Sequence, residues 1–230
     1  MRTVAVASVK DSVNKDEGQG GTRAQILAHA TRLFAVHGYG GTSLQAIADA
    51  VGIRKPSLLY HFRSKEQLRE AVLDALMARW QEVVPQVMRS ATSGERRFEA
   101  VLSEVLGFFR QDPARAQLLV RELLDRPKAF EARLERHLGH WIALVMTTIE
   151  RGQQEGLIRP SVDPHAYVLH VVTMMVTTVA ASDLTRSLLA PHGALASRGD
   201  RDDPGQAPMD RAIGEMVRMA RHSLFIDPEL

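Results

Sequence analysis

Residues 42–65 read TSLQAIADAVGIRKPSLLYHFRSK, and this stretch decides the fold. Leu44, Ile47, Ala48 and Val51 recur at helical spacing, so they form one apolar face of a short helix. Thr42-Ser43-Leu44-Gln45 has the form of a capping box that opens it, and Gly52 breaks it. Ile53 is an apolar plug for the turn, and a second short helix follows over Lys55–His61. Pro56 suits the first turn of that helix, where the missing amide donor has no partner to lose. Leu58 and Phe62, one turn apart, face the core, which leaves Lys55, Ser57, Leu59, Tyr60 and His61 for the exposed side. Two short helices joined by a tight glycine turn are the geometry that places one helix in the major groove while the other braces it. Here Thr42–Val51 is the brace and Lys55–His61 the reader.

The flanking sequence supplies a third helix. Thr22-Arg23-Ala24-Gln25 is a second capping box, and Ile26, Leu27, Ala30, Leu33 and Phe34 then form a stripe that ends at Gly38. Ser64-Lys65-Glu66-Gln67 opens a long helix that carries Leu68, Val72, Leu73 and Leu76 to about Val84, near Pro85. Residues 1–21 are polar with Gly18, Gly20 and Gly21 at their end, and are expected to be a flexible arm. Further helices are expected near 95–110, 113–124, 127–155, 163–190 and 208–226, with a flexible loop over 191–208, rich in Gly, Pro, Asp and Ser. The expected fold class is therefore all-α. A helix-turn-helix DNA-binding domain spans 22–68, and a larger helical body spans 69–230.

Charge agrees with this division. The chain of 230 residues carries a net charge of only +2, but residues 21–65 hold six Lys/Arg against the single acid Asp49, and 66–230 is net −3. A basic head on a mildly acidic body suits phosphate binding. On charge alone, a solvated basic face is an equal reading. The absence of cysteine excludes disulfides, thiolate nucleophiles and Cys-ligated metals. The longest apolar-rich run, Val168–Ala181, includes His170 and three threonines, short of a bilayer span. Met1–Val9 is too short for a secretory apolar region, so a cytoplasmic location is expected and no membrane partner.

Residues 22–70 resemble the N-terminal domain of the tetracycline-repressor (TetR) family of transcriptional regulators. The resemblance runs through Thr22–Phe34, Gly38-Tyr39, Thr42, Ile47-Ala48, Val51-Gly52-Ile53, Pro56 to Phe62, and Ser64-Lys65-Glu66 with Leu68. It implies that Thr42 and Lys65, at helix starts, meet backbone phosphates. It places Tyr60 and His61 against the sugar-phosphate backbone. Gln45, Lys55, Pro56, Ser57 and Leu59 approach base edges or thymine methyls. Arg54 and Leu59 depart from the family pattern, which often has Ser or Thr and Tyr there. Arg54 adds a candidate phosphate or base contact, and Leu59 removes a hydroxyl. Taken singly, Tyr60, His61 and Lys65 read as ordinary surface residues.

The resemblance also implies a homodimer on a near-palindromic double-stranded operator, most simply as a repressor, with a small-molecule effector in the body. It places dimerisation on the last two long helices. Their apolar faces, Val168, Val171, Val172, Met175 and Val179 on one and Ile213, Met216, Val217 and Met219 on the other, fit a buried core equally well. An effector pocket would draw on Phe108, Phe109, Trp141, Met146 and Met174, with His137, His140, Thr177 and Thr178 as polar anchors for a hydrophobic or amphipathic compound. Each apolar member reads also as plain core. His137 and His140 share a helix face, but no HExxH, P-loop, GxGxxG or Gly-x-Ser-x-Gly accompanies them. No metal or cofactor is expected. An all-helical enzyme or a helical scaffold protein without DNA binding is the alternative.

Overall fold

A computed structural model describes residues 7–90, 94–189 and 207–226. Every element among them is a helix: α1 (Ala7–Gly41), α2 (Leu44–Val51), α3 (Lys55–His61), α4 (Lys65–Ser90) and α5 (Gly94–Gln111), then α6 (Ala114–Asp125), α7 (Pro127–Gln154), α8 (Pro164–Ala180), α9 (Ser182–Leu189) and α10 (Ala207–Leu224). The chain divides into two compact units, residues 1–76 and 77–230, with the division inside α4.

In the first unit, α1 begins at Ala7, so the Thr22 capping box does not open a helix. Such a box marks where a helix is able to start; it does not stop one arriving from upstream. Most of the expected flexible arm, from Ala7 on, is thus helical backbone, and residues 1–6 lie outside the described residues. Gly38 does interrupt the helix, at φ 70° and ψ 172°, a region essentially restricted to glycine. The core stripe expected of α1 is observed, with Ile26 and Ala30 fully buried and Phe34 nearly so. Ile47 and Ala48 of α2, and Leu58 and Phe62 around α3, are buried too. Burying each of the Ile, Leu and Phe side chains among these stabilises a fold by about 1.5–3 kcal/mol.

In the second unit, α8 is the central helix, packed by α5, α6, α7, α9 and α10. Its inward face is Val171, Met175 and Val179, spaced four residues apart and all buried. The expected single helix over 163–190 is two helices, α8 and α9, bent by 78° at Ala181. Apolar periodicity continues through a bend because it records the spacing of side chains and carries no information on axis direction. Among the described residues no single helix is long and apolar enough to cross a membrane. α4 likewise continues past Pro85 to Ser90. The expected loop over 191–208 lies outside the described residues as far as 206, and its last residues already belong to α10.

The end of α10 is fastened by backbone pairing. Ile158 and Phe225 form an isolated antiparallel bridge, with Arg159 N–H donating to Leu224 O at 3.0 Å and Ile226 N–H to Leu157 O at 3.2 Å. Ile149, Ile158, Leu224 and Phe225 make a buried cluster there. The Tyr167 hydroxyl, whose pKa burial pushes upward, donates to Ala220 O at 2.8 Å.

Candidate nucleic-acid interface

The two short helices of the first unit are shaped by local chemistry. Ser43, in extended backbone, caps α2: its Oγ accepts the Ala46 N–H at 3.0 Å. At the other end Gly52 is left-handed, at φ 77° and ψ 28°. Its N–H donates to Asp49 O at 3.1 Å, while Ile53 N–H reaches Ala48 O at 3.0 Å. This paired closure satisfies the last carbonyls of α2 and turns the chain sharply into α3. A Cβ at Gly52 meets nothing within 4 Å, so glycine is needed there for its backbone angles alone. Ile53 is half-buried, a partial plug of the turn.

α3 has seven residues and is anchored from beneath. Leu58 is 0% exposed and Phe62 2%. Lys55, Pro56 and Ser57 are exposed, Tyr60 is 74% exposed, and Leu59 and His61 are half-buried. The rings of Tyr60 and His61 meet edge to face at 5.6 Å. Arg54 caps α3 with extended backbone, its carbonyl accepting Ser57 N–H at 2.9 Å, while its side chain is exposed. Gln45 is exposed on α2 and donates to Asp49 Oδ1 at 2.7 Å, which occupies an acceptor of the sole acid in residues 21–65.

Thr42 is placed otherwise than expected. It is 2% exposed, and its hydroxyl is directed at Gly38 O (2.8 Å) and Leu33 O (3.0 Å). It neither caps α2 nor presents its hydroxyl to a phosphate. Its hydroxyl is used within the head, at carbonyls of the α1 segment around the break at Gly38. The exposed hydroxyl at this helix start belongs to Ser43.

At the start of α4, Ser64 Oγ accepts Gln67 N–H at 3.0 Å and Gln67 Oε1 accepts Arg63 N–H at 2.6 Å, a capping exchange displaced by one residue. Arg63 is exposed, and the Lys65 ammonium lies 4.3 Å from the Tyr39 ring centroid. Arg54, Lys55, Arg63 and Lys65, with exposed hydroxyls at Ser43, Ser57 and Ser64, thus lie on or beside α2, α3 and the start of α4. Ser43, Arg63 and Tyr39 are the members that sequence reasoning missed. Ser43 and Arg63 adjoin chosen residues, so exposure alone separates them; nothing in a periodic pattern pairs Tyr39 with Lys65.

The residues expected to line an effector pocket divide in the second unit. Phe108 and Phe109 of α5 surround Trp80 of α4, at 4.8 Å and 5.8 Å between centroids. The Arg115 guanidinium lies 4.4 Å over Phe108 and donates to its carbonyl at 2.7 Å. Trp80 and Arg115 were not among the expected residues. His137 of α7 is half-buried, with its carbonyl accepting from Gln81 Nε2 at 3.1 Å. Trp141, Met146, Met174 and Thr178 are half-buried. His140 is exposed, edge-on to Trp141, and exposed Thr177 donates to Thr173 O at 2.7 Å. Thr177 lies opposite the buried stripe of Val171, Met175 and Val179, and both side chains are on the protomer surface, so neither is an interior anchor. No group of three or more potential metal ligands forms among the described residues.

Residues 26–72 match the family described as "Bacterial regulatory proteins, tetR family", and 116–197 match "Tetracyclin repressor-like, C-terminal domain". The chain is 33% identical over 90 residues to the transcriptional activator FasR of Mycolicibacterium smegmatis, covering 39% of this chain and 41% of FasR. It is 30% identical over 152 residues to the transcriptional repressor KstR2 of the same organism, covering 61% of this chain and 69% of KstR2. The fold is similar to that of the ketosteroid transcriptional regulator KstR2 of Mycobacterium tuberculosis, with a TM-score of 0.64 at 17% identity over 89% of this chain and 95% of the other.

Proposed function

The chain belongs to the tetracycline-repressor family of bacterial DNA-binding transcriptional regulators, and from that premise we propose that it is a cytoplasmic homodimeric repressor released from its operator by a hydrophobic or amphipathic small molecule. The observation that carries the DNA reading is the exposure pattern of α3. Leu58 and Phe62 are sealed into the core while Lys55, Pro56, Ser57 and Tyr60 all face out. In this reading Lys55, Pro56, Ser57, Leu59 and Gln45 approach base edges. Arg54, Tyr60, His61, Lys65, Ser43 and Arg63 meet the phosphate backbone.

The dimer reading rests on apolar surface in the second unit. Val171, Met175 and Val179 of α8, with Ile213 and Met216 of α10, are consumed inside the protomer. Leu169 and Val172 on α8, Leu184 and Leu188 on α9, and Met219 on α10 are each 47–65% exposed. In this reading a second copy covers them, and the two α3 helices of the dimer occupy successive major grooves, roughly 34–36 Å apart. The effector reading rests on the aromatic cluster of Trp80, Phe108 and Phe109. An effector moves the operator equilibrium only by its differential affinity for the bound and released states.

Selection of duplexes from a random pool by the whole protein tests this reading. Enrichment of a near-palindrome whose half-sites are one helical turn apart is the expected result. A single half-site, or no enrichment, overturns the dimeric operator reading.

A further inference from the structure

Tyr39 follows the break at Gly38, and its half-buried ring stands 6.0 Å from the buried Phe34 ring. Two cations of α4 address it. The Lys65 ammonium is 4.3 Å from the ring centroid and the Arg69 guanidinium carbon is 5.7 Å away. Lys65 and Arg69 are one helical turn apart, so both reach the same neighbour.

The two cations differ in what else holds them. Arg69 is 3% exposed, and its Nη1 lies 3.0 Å from Glu66 Oε1 and 3.1 Å from Glu70 Oε1. Its charge is balanced by carboxylates. Lys65 is half-exposed, beside the exposed Arg63 and Ser64, and is in no ion pair among the described residues.

We propose that Tyr39 is a positioning residue for DNA binding, whose ring holds the Lys65 ammonium at the start of α4 before a backbone phosphate docks there. The inference rests on the DNA-binding reading above, in which Lys65 meets a phosphate. A lysine side chain gives up substantial rotamer freedom when it is fixed. A carboxylate would fix it equally well, but would cancel the charge and repel the phosphate. An aromatic face attracts the cation through its quadrupole and leaves the charge in place. Ordering Lys65 beforehand removes part of the entropy cost of binding. Arg69 and Phe34 keep the ring itself in position.

The test is a titration of affinity against salt on a random-sequence duplex, using the whole protein. The variants are Lys65→Ala, Tyr39→Phe, Tyr39→Leu and Tyr39→Leu combined with Lys65→Ala. Lys65→Ala lowers the salt slope by about 1 for each protomer bound. Tyr39→Leu weakens binding about two- to fivefold and lowers the slope in the same sense, while Tyr39→Phe binds as wild type. In the Lys65→Ala background, Tyr39→Leu has no further effect. Upfield ring-current shifts of the Lys65 ε-methylene protons, lost in Tyr39→Leu and kept in Tyr39→Phe, report the contact directly.

Equal losses from Tyr39→Leu with and without Lys65 overturn the proposal, as does a Tyr39→Phe variant as weak as Tyr39→Leu. If Tyr39→Leu does not fold, pentafluorophenylalanine at position 39 keeps the ring's shape and reverses its charge distribution. Weaker binding than Tyr39→Phe then supports the proposal, and equal binding overturns it. A wild-type protein without salt-dependent DNA affinity removes the DNA reading itself, a failure distinct from that of Tyr39.

Discussion

The two units are both helical, yet they close their polar groups over very different stretches of chain. In the first unit the caps and turns that shape the short helices are local: Ser43 to Ala46, Gly52 to Asp49, Ser64 to Gln67, Thr42 to Gly38. In the second, beside local caps such as Asp163 to Ala166, side chains also join distant segments. Arg110 meets Asp210 across 100 residues, Gln81 meets His137 across 56, and Tyr167 meets Ala220 across 53. The difference teaches where specification lies. The reading surface is set by caps and turns that each fix a few backbone angles. The body is set by which helix faces meet, and each contact there depends on all the connections between.

Phe62→Ala is expected to break the comparison most severely if the units are not separable. Phe62 is 2% exposed and ends α3, with its N–H on Leu58 O at 2.9 Å and the Arg23 guanidinium 5.2 Å from its ring. Truncating a buried phenylalanine costs about 3–5 kcal/mol. DNA affinity should be lost while the sedimentation coefficient stays that of the wild-type oligomer. Loss of the oligomer together with DNA binding would show that the local ties of the head also hold the body.

Two glycines sharpen the same contrast at smaller magnitude. At Gly52 the cost of Gly52→Ala is conformational, because φ is 77° and the space is open; about 1–2 kcal/mol is expected. At Gly152 the cost of Gly152→Ala is steric, because a Cβ would lie 2.6 Å from Ile158 Cδ1 and 2.9 Å from its Cγ1. Overpacking of this kind costs about 1–3 kcal/mol. Chemical denaturation of single and double variants separates the two. Ile158→Ala should offset part of the Gly152→Ala loss, giving a cycle that is clearly non-additive. No neighbouring truncation should rescue Gly52→Ala.

What was legible in the sequence follows this division. The α2–turn–α3 unit was readable because Gly52, Pro56 and the Leu58/Phe62 pair each carry a local signal, and all behave as expected. Thr42 misled because Thr42 and Ser43 are both competent caps, and only the break at Gly38 decides that Thr42 turns inward. In the body the helices α5, α6, α7 and α10 were visible from periodicity, but the bend at Ala181 was not. The same limit explains the effector candidates. Phe108 and Phe109 find Trp80, 28 and 29 positions away, a pairing that no spacing rule announces. His140 and Thr177 looked like anchors only because side-chain direction is set by the packing of neighbouring helices.

The smallest effect concerns a body helix capped by a charged group. Asp163 opens α8 by accepting Ala166 N–H at 2.9 Å, and that bond, aided by His165, holds its exposed carboxyl below the ordinary Asp range. A folded-state pKa below the unfolded value means that the cap contributes stability above the unfolded value. That contribution is lost as pH falls through the lowered folded value. Asn caps a helix nearly as well but does not titrate. The melting temperatures of wild type and Asp163→Asn should therefore differ slightly at neutral pH and converge in acid. Ser43 and Ser64 cap the head with neutral hydroxyls, so Ser43→Ala and Ser64→Ala should shift melting of the first unit by amounts independent of pH. A pH-dependent Ser43→Ala difference would show that the head's caps couple to distant charge, and the contrast between local and long-range closure would then fail where it is most easily measured.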